Sequence, residues 1–190
     1  MSVLVEDLRL ETNGLYAKTV PGLENLGVRY RRMYFLRRAI ATLHEFTSAV
    51  QQIELLGEFM PVRKLFDSQQ QRLWNRSIRY FRRHSKALGD ARNNIGGHFG
   101  WEAAEKGIER LSDAEVGSLE IQHYQNGRSG AIFSFAEGLI ASAILKSSPR
   151  RKSGDYQARR LFRIAVTGFH HCVAVVYCIT AVYLWDRFGK

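Results

Sequence analysis

The chain is poor in proline, poor in cysteine and short of acid. Only three prolines occur in 190 residues, and runs of β-branched residues are few. Little therefore interrupts a helix. The two cysteines, Cys172 and Cys178, exclude a disulfide-stapled scaffold. Six residues apart in one apolar run, they point about 120° from one another on a helix. They form no CxxC pair and have no neighbouring His/Cys set of the kind zinc requires, so they read as small core residues in a reducing cytoplasm. Acidic residues number 18 against 28 Lys and Arg, a net charge of +10 with a pI of about 9.9. That imbalance points to an anionic partner, most simply nucleic acid and less simply a membrane surface, or else to a basic solvated exterior. The opening Met-Ser-Val-Leu-Val-Glu-Asp has no basic region followed by an apolar run, so it does not read as a signal peptide.

Long uncharged runs are also scarce, with one exception. Ile164 to Leu184 carries no formal charge and is long enough to cross a bilayer. Thr167, His170, His171 and Cys178 give it a weakly polar side, and a buried central helix of a bundle has the same composition. The core reading is preferred and a membrane partner is not expected. A membrane-associated protein anchored by residues 164–184 stays as an alternative.

What is present is helical periodicity. The chain is long enough to bury a real core as one domain, and its 45% hydrophobic content is ordinary. The expected class is all-α, an antiparallel bundle of about five main helices, with residues 1–24 as an N-terminal arm and 25–190 as a single domain. The arm is punctuated by Asn13-Gly14 and Pro21-Gly22, which read as turns. It is expected to pack on the bundle or to swap between protomers. From about Glu24 to Phe59, the residues Leu36, Ile40, Leu43, Phe46, Val50 and Ile53 recur at helical steps until Gly57 and Pro61. Arg29, Arg31, Arg32, Arg37 and Arg38 read as a solvated helix start.

A second helix is expected from about Val62 to Leu88, with Phe66, Leu73, Trp74, Ile78, Phe81 and Leu88 on one face. Opposite them run Arg72, Arg76, Arg79, Arg83 and Lys86, a single-sign stripe that costs self-repulsion and suits contact with a nucleic-acid backbone. Gly89 and Asp90 are expected to break or cap this helix. Further helices are expected over Trp101–Leu111, Ala131–Lys146 and about Asp155–Trp185, with a mobile basic loop before the last. Leu119 to Tyr124 alternates like a strand and Gln125-Asn126-Gly127 reads as a turn, so an irregular excursion or small hairpin is expected near 117–130. His170 and His171 are adjacent, about 100° apart on a helix, and do not make an i,i+4 metal pair. One of them is expected to line the core near the turn that follows the second helix. His84 and His123 show no partner in the sequence.

That turn, Asp90-Ala-Arg92-Asn93-Asn94-Ile95-Gly96-Gly97-His98-Phe99-Gly100, gathers a cation, amides and an imidazole around glycines. Arginine holds a phosphoryl oxygen bidentately, and histidine moves a proton near neutral pH. Together they suit phosphodiester cleavage without a metal. Arg92, Asn93 and His98 resemble the signature of the HEPN superfamily of helical bundles: an arginine, four to six residues, then a histidine, with a polar residue directly after the arginine. The resemblance covers roughly residues 30–185 as architecture and Arg92 to His98 as motif; the Gly96-Gly97 pair departs from the simplest helical version.

The resemblance implies a metal-independent endoribonuclease of toxin or phage-defence type. Arg92 and His98 would be catalytic, Asn93 would orient the histidine or the ribose, and no cofactor is expected. It implies a homodimer, because two copies of the motif must meet to complete a site, an RNA substrate, and a neutralising antitoxin protein as a further partner. Some members of the family are catalytically silent binding or scaffold modules, and that is the first alternative.

Overall fold

The computed structural model describes residues 1–16, 27–95, 119–123, 129–133 and 154–188. These form helix α1 (Ser2–Tyr16), α2 (Gly27–Leu55), the short α3 (Phe59–Lys64), α4 (Ser68–Ile95), strands β1 (Leu119–His123) and β2 (Ser129–Phe133), and α5 (Gly154–Phe188). The fold is an all-α bundle. α2 and α5 form its central pair, with α1 and α4 each packed against both. The pairs Glu11 with Thr42, Phe46 with Phe81 and Tyr80 with Ile164 show that α1 and α4 run opposite to α2 and α5.

The core is one cluster drawn from all four long helices: Leu8 and Leu15 from α1, Leu36, Ile40, Leu43, Phe46 and Val50 from α2, Trp74, Phe81 and Leu88 from α4, and Ile164, Val175 and Val182 from α5. Each fully buried large side chain contributes about 1.5–3 kcal/mol. Phe59 and Phe66 seat Trp74 between α3 and the start of α4, with ring centroids 4.9 and 5.5 Å from it. Cys172 and Cys178 are buried and unpaired, as their apolar run implies; burial pushes the Cys178 thiol up to about 11. α5 packs along one side through Leu161, Ile164, Ala165, Cys172, Val175, Cys178 and Val182. Gly168 is the closest approach in that packing: a Cβ there would collide with the Leu43 side chain.

Several expected boundaries move, each for a packing reason. Asn13-Gly14 lies inside α1 rather than in a turn, because Gly14 faces the Phe35 ring and the helices meet there. α1 is fastened through a buried polar group: Glu11 accepts a 3.1 Å hydrogen bond from Thr42 and pairs at 3.4 Å with Arg38. Burial raises the Glu11 carboxyl above its ordinary range despite those two partners. α2 stops at Leu55, and Pro61 falls in the first turn of α3, where its missing N–H costs nothing.

The second expected helix starts later and ends later. It begins at Ser68 because Asp67 accepts from the backbone N–H groups of Gln69 and Gln70, while the Gln70 side chain accepts from the N–H of Asp67. This is a reciprocal capping box. It does not stop at Gly89: Leu88 and Ala91 are both buried, Lys86 pairs with Asp90 at 2.9 Å, and Gly89 lies against His44. Packing on both sides of the glycine outweighs its roughly 1 kcal/mol helix penalty. In the ribbon, β1 pairs antiparallel with β2, Leu119 opposite Phe133 and His123 opposite Ser129. Residues 131–133, expected as the start of a helix, are strand, because Ala131 and Ile132 pair with Ile121 and Glu120. The Trp101–Leu111 helix, the remainder of Ala131–Lys146, Pro21-Gly22, the turn at 125–127 and the loop before α5 lie outside the described residues.

Candidate functional site

Everything the motif can do depends on how α4 delivers it. Arg92 and Asn93 occupy the last turn of α4 and are exposed; His98 lies outside the described residues. Arg92 stands 18 residues after Trp74, which is about five full turns. It therefore points to the side of α4 that carries Trp74, Phe81 and Leu88. The buried stripe ends at Leu88 and Ala91, and Arg92 continues its direction beyond the last core layer. A cation stands where the next apolar residue would be, at the end of α4.

The basic stripe takes the opposite side. Arg72, Arg76, Arg79, Arg83 and Lys86 are all exposed and average about half a turn from Arg92. The stripe and Arg92 therefore lie on different sides of α4. Lys86 also has an i,i+4 partner in Asp90, so the stripe is not wholly unpaired. Among the described residues Arg72, Arg76, Arg79 and Arg83 make no ion pair, and Arg82, one step off the stripe, is bound to Glu54 at 2.9 Å.

The antiparallel packing gives the motif end further cations. α2 and α5 both begin at the end where α4 finishes, and both carry arginines in their first turns. Arg32 and Arg38 of α2 and Arg159, Arg160 and Arg163 of α5 are exposed there; Arg37 lies 5.8 Å from the centroid of the Tyr34 ring. Arg38 spends part of its charge on Glu11. Three chain segments remote in sequence thus concentrate positive charge around the end of α4.

A second cluster was not visible in the sequence. Along the α4–α5 seam the rings of His171, Tyr80 and His84 form a column, with centroids 4.3 Å apart for His171–Tyr80 and 4.6 Å for Tyr80–His84. Tyr80 donates to the carbonyl of Ile164 at 2.7 Å, and Ser77 Oγ lies 3.0 Å from His171 Nδ1. Burial, then Arg83 and Arg160, hold His84 below its ordinary pKa; burial, then Arg76 and the neighbouring histidines, do the same to His171. The expectation that one of His170-His171 lines the core near the motif turn is corrected. His171 faces Ser77 and Tyr80, about 18 Å along α4 from Arg92 at 1.5 Å per residue. His84, partnerless in sequence, is a member of the column. A seam between helices joins residues 94 apart in the chain, and no local spacing announces that.

α5 contains the stretch Arg159–Trp185, of mean hydropathy 1.6 in its most apolar window, long and apolar enough to cross a membrane; 33% of that window is buried. No protein-family model, curated protein or solved structure matches the chain.

Proposed function

We propose that this chain is an RNA-directed protein whose basic end grips a phosphate backbone, and that Arg92, Asn93 and His98 form a HEPN-like, metal-independent endoribonuclease site. The observation that supports this best is Arg92 itself. It is an exposed cation on the core side of α4, set just past the last buried layer, at the end where the arginines of α2 and α5 gather. An arginine exposed at that point is available to hold an anion.

In the proposed reaction the ribose 2′-hydroxyl loses its proton and attacks the adjacent phosphorus, and the 5′-oxygen leaves with a proton. The products are a 2′,3′-cyclic phosphate and a 5′-hydroxyl. His98 carries the proton transfers, Arg92 stabilises the charge on the phosphoryl oxygens, and Asn93 orients the histidine or the ribose. One arginine and one histidine are few for both proton transfers, so a second copy of the chain completes the site across a two-fold axis. A toxin or defence role, held in check by a neutralising protein, is part of the same proposal.

The test uses purified protein with mixed RNA. His98→Ala abolishes cleavage while leaving RNA affinity nearly intact, because proton transfer acts in the transition state. Arg92→Ala loses cleavage and some affinity, and Arg92→Lys does not restore it, lacking the bidentate fork. Cleavage survives EDTA, and DNA resists because it has no 2′-hydroxyl. Wild-type protein that binds RNA without cutting it supports the silent binding module instead; His98→Ala protein that cuts like wild type rejects the site. The membrane-anchored alternative draws on the apolar side of α5 that the described residues leave exposed, Val173, Tyr177, Leu184 and Trp185 among it. It fails if the full-length chain stays in the soluble fraction without detergent.

A further inference from the structure

The α4–α5 seam is a separate site from Arg92, and its composition is one-sided. Tyr80 is flanked on α4 by Arg76 at i−4 and Arg83 at i+3, and Arg160 stands about one turn before Ile164, whose carbonyl Tyr80 binds. Arg83 and Arg160 act on His84, and Arg76 and His170 on His171. His171 Nδ1 is engaged by Ser77. Cations from both helices beside half-buried imidazoles keep those rings neutral, a balance that an anion reverses.

We propose that this seam is a phosphate seat, in which Arg76, Arg83 and Arg160 supply charge and His84 and His171 supply ring N–H donors. The phosphate is either one within an RNA strand or a free phosphate, and the seat stands whether or not the motif cleaves RNA. The column positions the donors: Tyr80, anchored to the Ile164 carbonyl, stacks on His171 and meets His84 at a tilt, and Ser77 fixes the face of His171. An anion in the seat reverses the electrostatic balance on both rings and favours their protonated, two-donor form. Binding therefore tightens on acidification through the imidazole range. The titratable and charged groups facing the rings are Arg76, Tyr80 and Arg83 from α4 and Arg160, His170 and Cys172 from α5; among these only the histidines change charge in that range.

The experiment follows the imidazole C–H signals of full-length protein by NMR as a function of pH, with and without inorganic phosphate, and repeats it with a short oligoribonucleotide. Phosphate should move the titrations of His84 and His171 upward and leave that of His44 in place. Arg160→Gln should weaken phosphate binding about tenfold, the loss of one charge-assisted contact, while Arg72→Gln, more than two turns before Tyr80 on α4, should leave it unchanged. His171→Gln, which keeps a polar group beside Ser77, should reduce the pH dependence to the part carried by His84 while the fold persists by circular dichroism. If the oligoribonucleotide reproduces the shifts, the seat takes RNA phosphates; if only inorganic phosphate does, it takes free phosphate. Unmoved His84 and His171 titrations with both ligands overturn the proposal, as does an equal loss with Arg72→Gln and Arg160→Gln.

Discussion

The two ends of the bundle differ in chemistry. At one end α4 finishes and α2 and α5 begin, and the surface is arginine: Arg32, Arg38, Arg92, Arg159, Arg160 and Arg163. At the other, α2 and α5 finish and α4 begins, and the surface is apolar: Leu55, Leu56, Met60 and Leu65 are more than half exposed, and Trp185 is 77% exposed. Leu56, Met60 and Leu65 come from α3 and the segments beside it, so helical periodicity of the long helices alone does not produce the difference. It comes from where each helix keeps its cations. α2 and α5 carry them in their N-terminal halves, so like charges from two helices gather at one end and repel one another, which makes that end a candidate for binding an anion.

Each end makes a different forecast under substitution. The largest effect belongs to the apolar end. Trp74→Ala should lower stability by about 3–5 kcal/mol, since Trp74 is fully buried between Phe59 and Phe66; chemical denaturation measures it. Trp74→Phe should cost far less, because the indole N–H has no partner among the described residues. The basic side should show the reverse pattern. Replacing Arg72, Arg76, Arg79 and Arg83 together by Gln should leave stability within about 0.5 kcal/mol and weaken binding to all RNA sequences alike. The slope of log affinity against log salt should fall by about 3, at roughly 0.7 per phosphate on single strands. An unchanged slope would make the stripe an ordinary solvated face.

A smaller loss should follow Asp67→Ala, which removes the acceptor for two backbone N–H groups at the start of α4. About 1 kcal/mol is expected, again by denaturation and without effect on RNA. The smallest effect is the pH dependence of stability. His84 and His171 are held below their ordinary pKa of 6.5 in the folded chain, so the unfolded chain binds more protons as pH falls through that value. Stability should therefore be highest above about pH 6.5 and decline below it, by a few degrees in Tm because both rings are half-exposed. The decline should be reduced in His84→Gln and His171→Gln, reduced in part by Arg76→Gln and Arg83→Gln, whose charges help hold the two rings neutral, and unaffected by Arg72→Gln.

The parts of this molecule legible in the sequence are those governed by local pattern. α5 was readable because its composition is uncharged and largely apolar from Ile164 to Leu184, and the core face of α4 was readable because Trp74, Ile78, Phe81 and Leu88 repeat at helical steps. α1 was obscured by two features that packing overrides: Glu11 occupies a core position in the series Leu4, Leu8, Glu11, Leu15, and Asn13-Gly14 imitates a turn. The start of α4 was written in Asp67-Ser68-Gln69-Gln70, a capping signature that the apolar pattern from Phe66 masked. Its end was not local at all. Whether a helix continues through Gly89 depends on what lies against Leu88 and Ala91, and only the assembled bundle supplies that. The opposed placement of Arg92 and the stripe followed once the helix was known to run unbroken to Ile95. The histidine column required knowing that α4 and α5 are neighbours in opposite directions.

The contact between Gly168 and Leu43 has a consequence for how this sequence can change over time. With no room for a Cβ at Gly168, the two positions share one fixed volume. Any lineage that enlarges the glycine must first shrink the leucine, and an intermediate carrying only the enlargement is overpacked by about 1–3 kcal/mol. Distant relatives of this chain should therefore show the two sites changing together: an alanine in place of Gly168 accompanied by a valine or smaller residue in place of Leu43, and a retained leucine accompanied by a retained glycine.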